Sequence, residues 1–175
     1  MRQPPPPRFP KSSSRRSAIV ITVSDRSARG ERPDASGPRV AALLSRRGFE
    51  VVATAVVPDR LRLLVETLRA ASSAAALVVT TGGTGFSPRD LTPEATRKVV
   101  DRLAPGLGEA MRAAGAAHNP RAWLSRGIAG LRGRSLVLNL PGSPSAAEES
   151  LASILDLLPH ALDVLGGADR HAEEG

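Results

Sequence analysis

The sequence predicts an α/β domain built on an open, mostly parallel sheet with helices on both faces. Three observations carry this. Short apolar, β-branched runs alternate with amphipathic helical segments along the chain. The runs are apolar throughout rather than alternating, as in strands covered on both faces. Three of the four runs end in conspicuous polar or glycine-rich loops. In such folds ligands bind at the carboxyl ends of the strands, near a topological switch point.

The elements follow in order. Ala18-Ile-Val-Ile-Thr-Val23 reads as a buried strand, and residues 24–37 are polar and turn-rich, hence a loop. Val40, Leu43 and Leu44 have helical spacing over 40–47, and Gly48 stands where a helix end needs a left-handed residue. Residues 49–57 form a second strand, stopped by Pro58. Leu61, Leu64, Val65 and Leu68 share one face of a helix over 60–71. Residues 76–80 are a third strand that runs into Thr81-Gly-Gly-Thr-Gly85. Thr92-Pro93-Glu94 is a helix start: an N-cap hydroxyl, a first-turn proline and an acid at the positive end. A helix is expected over 105–117 and a buried strand over 136–140. Ser143-Pro144 opens a long helix to about Leu165, interrupted or kinked near Pro159. There is no internal repeat. The expected organisation is a disordered basic extension (1–17), one α/β domain (18–167) and a frayed tail (168–175).

Composition narrows the function. The 175 residues suffice for one domain. Only 2% are aromatic (Phe9, Phe49, Phe86 and Trp123), so the core is aliphatic. A net charge of +7 and an isoelectric point of about 11.4 suggest a polyanion partner. The distribution weakens that suggestion. Arg2, Arg8, Lys11, Arg15 and Arg16 all lie in the extension, and the remainder carries only +2. That residual field could help draw in anionic substrates. Basic stripes with interleaved aromatics are absent, which argues against nucleic acid. The absence of cysteine excludes disulfides, thiolate metal sites and cysteine nucleophiles. No apolar run reaches the roughly 20 residues of a spanning helix. The basic start is followed by prolines and serines rather than an apolar segment, so no secretory signal is expected.

The loop Thr80-Thr-Gly-Gly-Thr-Gly-Phe-Ser-Pro-Arg-Asp90 is the most informative segment. Its glycines allow close backbone approach, and its amides and hydroxyls can face an anion. It is neither a Walker loop nor a GxGxxG fingerprint, because it lacks Gly-Lys-Ser/Thr and has Pro88 at the third glycine position. Asp59, just past the second strand, reads as a helix N-cap or as a site carboxylate. Asp25, after the first, reads as a self-satisfied loop residue or as part of the same edge. Asp59 and Asp90 at adjacent strand ends could hold Mg²⁺, which takes carboxylates plus substrate phosphates. Gly142 and Ser143 sit in a tight turn ahead of a helix N-terminus, which suits a phosphate or a polar ring. Glu109 and Arg112 read as a surface ion pair. His118, His160 and His171 lack metal-ligand spacing, and no Ser/His/Asp arrangement is evident.

Taken together, Ser24-Asp25, Asp34 with Ser36-Gly37-Pro38, Val57-Pro58-Asp59, Thr80-Thr-Gly-Gly-Thr-Gly85, Ser87-Pro88-Arg89-Asp90, Thr92-Pro93-Glu94, Pro105-Gly106, Leu124-Ser125-Arg126 and Asn139-Leu-Pro-Gly142 resemble one family. It is the molybdenum-cofactor biosynthesis family of Mog and MoaB proteins and the gephyrin G domain. The resemblance spans about residues 18–167 and does not include the extension.

The resemblance implies a three-layer α/β/α fold that binds molybdopterin. It implies adenylylation of the molybdopterin terminal phosphate by Mg-ATP with loss of pyrophosphate. Some relatives bind the pterin without that activity, so a non-catalytic binding or complex-forming paralogue is the alternative. A polyanion binder acting through the basic tail is a weaker third reading. By resemblance Asp59 and Asp90 are catalytic and hold Mg²⁺. Ser24, Asp25, Thr81, Gly82, Gly83, Thr84, Gly85, Ser125, Pro141, Gly142 and Ser143 form the molybdopterin and ATP edge. A cytoplasmic homotrimer or hexamer that hands its product to a molybdate-insertion protein is implied as well.

Overall fold

A computed structural model of the chain describes residues 5–167. The expected tail at 168–175, with His171, lies outside the described residues, as do the first four residues of the expected extension.

Four strands are parallel: β1 (Ser17–Val23), β2 (Glu50–Val57), β3 (Leu77–Thr81) and β6 (Ser135–Leu140). Two short ones, β4 (Arg102–Leu103) and β5 (Ala129–Arg132), are added antiparallel beside β6, giving the order β2-β1-β3-β6-β5-β4. Successive side chains of a strand point to opposite faces. Ala18 and Val20 of β1 therefore join one core, with Leu77, Val79, Leu136 and Leu138. Ile19, Ile21 and Val23 join the other, with Val78 and Val137.

Each face is covered by helices. α2 (Ser36–Arg46), α5 (Pro105–His118), α6 (Pro144–Ile154) and α7 (Leu158–Leu165) pack on the first. α3 (Leu61–Ser72) and α4 (Thr92–Arg97) pack on the second. The architecture is the expected three-layer α/β/α. The chain leaves β1 for β2 on one side and returns by α3 to β3 on the other, so the switch point lies between β1 and β3. Register then fixes the site. Val23 lies opposite Val57, Thr22 opposite Thr81, and Thr81 opposite Leu140. The loops after β1, β2, β3 and β6 consequently leave the sheet side by side.

Several elements differ from the sequence expectation. A four-residue helix α1 (Asp25–Ala28) interrupts the loop after β1, with the Ser24 hydroxyl accepting the Ser27 amide at 3.2 Å. α2 starts at Ser36, because the Asp34 carboxylate accepts the Ser36 and Gly37 amides at 3.1 and 3.0 Å. Thr92 does not cap α4. It is the first helical residue, and its hydroxyl donates to the Gly82 carbonyl at 2.9 Å. Of the two outcomes expected near Pro159 the helix after Ser143 shows the interruption rather than the kink, and Pro159 sits in the first turn of α7, where its missing N–H costs nothing. Arg112 does not pair with Glu109. It donates to the Gly127 carbonyl at 2.8 Å.

Residues 5–16 of the extension make contacts with the domain. The segment has no regular secondary structure, yet it follows a fixed path across the amino edge of the sheet. Phe9 packs against the core on the α3 side, and the Ser12 amide donates to the Ala74 carbonyl at 2.9 Å. Arg16 reaches Asp163 at 3.3 Å. An aromatic side chain and an ion partner anchor a segment whose composition alone suggests disorder.

Candidate active site

The glycine loop is shaped by what surrounds it. Gly82 and Gly83 have φ of +92° and +64°, the left-handed region that side chains rarely adopt. A Cβ on Gly82 would strike the Val23 carbonyl at the end of β1. A Cβ on Gly142 would lie 3.2 Å from the Gly82 Cα. A Cβ on Gly83 would strike Thr92 Oγ1 and lie 2.9 Å from Asp59 Oδ1. The loop is thus wedged between the ends of β1 and β6 and the start of α4. The Gly82 amide donates to Leu140 O at 3.1 Å, and the Thr92 amide to Gly83 O at 3.1 Å.

Three carboxylates gather around this loop. The Asp25 amide donates to Asp59 Oδ2 at 3.1 Å, and the Asp59 amide donates back to Asp25 Oδ1 at 3.1 Å. This reciprocal pair ties the loops after β1 and β2 together. It also removes the local alternative at each position. Asp59 does not cap α3, whose N-cap is Arg60 without a side-chain bond, and Asp25 satisfies its neighbour's backbone rather than its own. Asp90 Oδ2 accepts the Ser87 amide at 2.8 Å and would lie 2.9 Å from a Cβ on Gly85. Arg89 approaches Asp25 Oδ2 at 3.6 Å. Burial raises the Asp59 carboxyl above the ordinary aspartate range, and the charges of Asp25 and Asp90 raise it further. The bond from the Asp25 backbone and the Arg89 charge offset this in part.

Beneath the loop lies a layer of hydroxyls. Thr22 donates to Asp34 at 2.7 Å, and Ser36 and Thr81 are 2.8 Å apart, buried together. Asp34 and Thr22 leave no room for a Cβ on Gly37. This layer fixes α2 against the ends of β1 and β3.

Two clefts open on either side of the glycine loop. The first, about 870 Å³, is lined by Ser24, Asp25, Asp59, Thr81, Gly82, Gly83, Asp90, Gly142 and Ser143, together with Arg26, Arg29, Arg32 and Arg89. The second, about 660 Å³, is lined by Gly83, Thr84, Gly85, Asp90, Ser125, Pro141, Gly142 and Ser143. Every residue that the resemblance assigns to the site lines one cleft or the other. Gly83, Asp90, Gly142 and Ser143 line both and form the divide between them.

Among the described residues no three His, Asp or Glu side chains form a ready-made metal cage. The donor set instead suits a hard cation that keeps water and substrate phosphates as most of its ligands. Asp59 and Asp90 fit that role, because a dication would relieve the unfavourable crowding of charge at Asp59.

Sequence reasoning missed one prominent group. Arg126 donates to Gly85 O at 2.7 Å, to Asp90 O at 2.5 Å and to the Glu94 carboxylate. Burial alone would raise Glu94, but the bond and charge from Arg126, with the Glu94 backbone amide and the charge of Arg97, outweigh it and hold that carboxyl below its ordinary value. The sequence signal was the Leu124-Ser125-Arg126 motif of the family resemblance, which assigned a role to Ser125 but none to Arg126.

Comparison with known proteins agrees with this geometry. Residues 19–160 match the family model described as "Probable molybdopterin binding domain". A molybdopterin adenylyltransferase of Helicobacter pylori is 38% identical over 157 residues, covering 85% of this chain and 86% of that protein. A molybdenum cofactor biosynthesis bifunctional protein of Synechococcus elongatus is 40% identical over 90% of this chain, and the chain spans half the length of that relative. The crystal structure of the molybdopterin biosynthesis enzyme MoaB from Thermus thermophilus superposes with a TM-score of 0.81 at 48% identity, covering 86% of this chain and 96% of that one. The chain therefore belongs to the molybdopterin-binding domain family.

Proposed function

We propose that this chain adenylylates molybdopterin. The carrying observation is the divide at Gly83, Asp90, Gly142 and Ser143, which lines two clefts at once. A reaction that joins two phosphorylated substrates needs such a meeting point, and positioning supplies much of its rate. The name of the Helicobacter relative supports the same activity, and that of the Synechococcus relative supports molybdenum cofactor biosynthesis.

The first cleft, with its carboxylates and arginines, takes the triphosphate of ATP; the second, with its hydroxyls and glycines, takes the pterin. An oxygen of the molybdopterin phosphate forms a bond to the α-phosphorus of ATP. The bond from that phosphorus to its bridging oxygen breaks, and the electron pair leaves with pyrophosphate. No covalent enzyme intermediate is required, consistent with a chain that has no cysteine. Asp59 and Asp90 would hold Mg²⁺, which supplies charge neutralisation at the phosphates. Asp25 holds the Asp59 backbone, and Arg89 and Arg26 stand where phosphate oxygens would lie. The glycine loop brings the substrates close, since side chains there would fill the divide.

The homotrimer, the handover to a molybdate-insertion protein and a cytoplasmic location belong to the same reading. Trp123 and Leu124 are 60% and 53% exposed, which supports a covered face in an assembly. No helix among the described residues is long and apolar enough to cross a membrane.

The test is incubation with molybdopterin and Mg-ATP, followed by detection of adenylylated molybdopterin and pyrophosphate. Asp90→Asn should lower the rate by about a hundredfold or more. Wild-type protein that binds molybdopterin but forms no product would instead be the non-catalytic paralogue.

A further inference from the structure

We infer that Arg126 is a positioning residue that sets Asp90 in place across the divide. The inference rests on the adenylylation reading, but its geometry stands on its own. Arg126 lies between the 3-10 helix Pro120–Leu124 and β5, and it lines neither cleft. Its backbone amide donates to Thr84 O at 2.9 Å. Its side chain spans the whole loop that follows: Nε reaches Gly85 O at 2.7 Å, and a terminal nitrogen reaches Asp90 O at 2.5 Å. The Glu94 carboxylate at the start of α4 holds the far side of the guanidinium.

The loop so clamped has little packing of its own. Phe86 is 69% exposed, and residues 87–89 are exposed as well. Its internal bonds, Ser87 N to Asp90 Oδ2 at 2.8 Å and Asp90 N to Ser87 O at 2.9 Å, fold it back on itself without attaching it to the domain. Arg126 attaches both ends. A planar fork of donors suits three acceptors arranged around it, and an ammonium supplies only one directed charge. The neighbouring Ser125 lines the second cleft. One residue therefore couples the wall of the pterin cleft to the carboxylate shared with the nucleotide cleft.

The test compares Arg126→Ala, Arg126→Lys and wild type. Rates are normalised to the folded fraction by circular dichroism. Arg126→Ala should lower kcat about a hundredfold, with KM for Mg-ATP within about threefold, since small misplacements of a reacting group cost rate rather than binding. Arg126→Lys should recover about tenfold of that loss. Amide hydrogen exchange supplies a readout that does not need turnover. Residues 84–90 should exchange at least about tenfold faster in Arg126→Ala, with β3 unchanged. Unchanged kcat and unchanged exchange would overturn the inference. Wild type without product would sink the adenylylation reading instead, and the exchange comparison would then decide the role of Arg126. If Arg126→Ala fails to fold, Glu94→Gln takes its place, with the same direction expected at smaller size.

Discussion

Gly83→Ala gives the sharpest check on how the candidate site is built, and Gly48→Ala is its control. Both glycines have left-handed backbones, φ +64° and +80°. A Cβ at either position incurs a backbone cost of about 1–2 kcal/mol. Their surroundings differ. Nothing lies within 4 Å of a Cβ on Gly48, the residue that ends α2. A Cβ on Gly83 meets Thr92 Oγ1 and Asp59 Oδ1. Neither neighbour can step aside freely: Thr92 is held by its bond to Gly82 O, and Asp59 by its bond from the Asp25 amide. Overpacking against such atoms adds about 1–3 kcal/mol. Gly83→Ala should therefore cost about 2–5 kcal/mol and Gly48→Ala about 1–2 kcal/mol, within the reserve of a typical domain. Urea unfolding with unchanged m-values measures both. Product formation by folded Gly83→Ala should fall about a hundredfold, because Asp59 is displaced; Gly48→Ala should retain full rate. Equal costs for the two variants, with activity intact in both, would refute the packing argument.

Other outcomes follow from the same structure. Asp59→Asn should lower product formation about a hundredfold without lowering stability at neutral pH. The raised Asp59 carboxyl contributes stability that is complete below the ordinary aspartate range and lost as pH rises through the raised value. Urea unfolding between pH 4 and 8 should accordingly show a smaller decline for the variant than for wild type. Phe9→Ala should cost about 1–2 kcal/mol, the value of a partly buried aromatic, and lower the melting temperature by about 2–8 °C. Its activity per folded molecule should stay unchanged, since the extension lies at the opposite end of the sheet. Chelation of Mg²⁺ should stop product formation, and added Mg²⁺ should restore it.

The parallel sheet was legible because its central strands are continuous apolar runs, such as residues 18–23, and nothing else of that length competes for them. The site edge was legible for a topological reason: strands in one parallel register end at one level. β4 and β5 were not legible. They are two and four residues long, and Gly130 in β5 is there because Val100 leaves no room for a Cβ, a fact about packing rather than periodicity. The same limit hid Arg126 and the reciprocal bonds of Asp25 and Asp59. Local spacing registers neighbours within a few residues, whereas these partners are 32 to 41 positions apart. Composition reports average burial, so it does not register the contacts that Phe9 and Arg16 of the extension make with the domain.

Charge is where the structure alters the sequence argument most. A remainder of +2 suggested a mild field drawing anions toward the domain. The first cleft is built differently. Arg26, Arg29, Arg32 and Arg89 face Asp25, Glu31, Asp34, Asp59 and Asp90, so acids outnumber bases along its lining. Two of the four arginines are already engaged: Arg29 pairs with Glu31 at 2.5 Å and Arg89 with Asp25 at 3.6 Å. A bare triphosphate would enter against that balance, whereas a triphosphate carrying its own dication would meet carboxylates already crowded at Asp59. Burial, and after it the charges of Asp25 and Asp90, raise the Asp59 carboxyl, and a bound dication would offset both. Glycines at 83 and 85 keep the carboxylates of Asp59 and Asp90 close to the backbone, where a substrate phosphate can share that cation. On the proposed reading nucleotide and metal would arrive together, and the arginines of the lining would meet the phosphates that the carboxylates alone would repel.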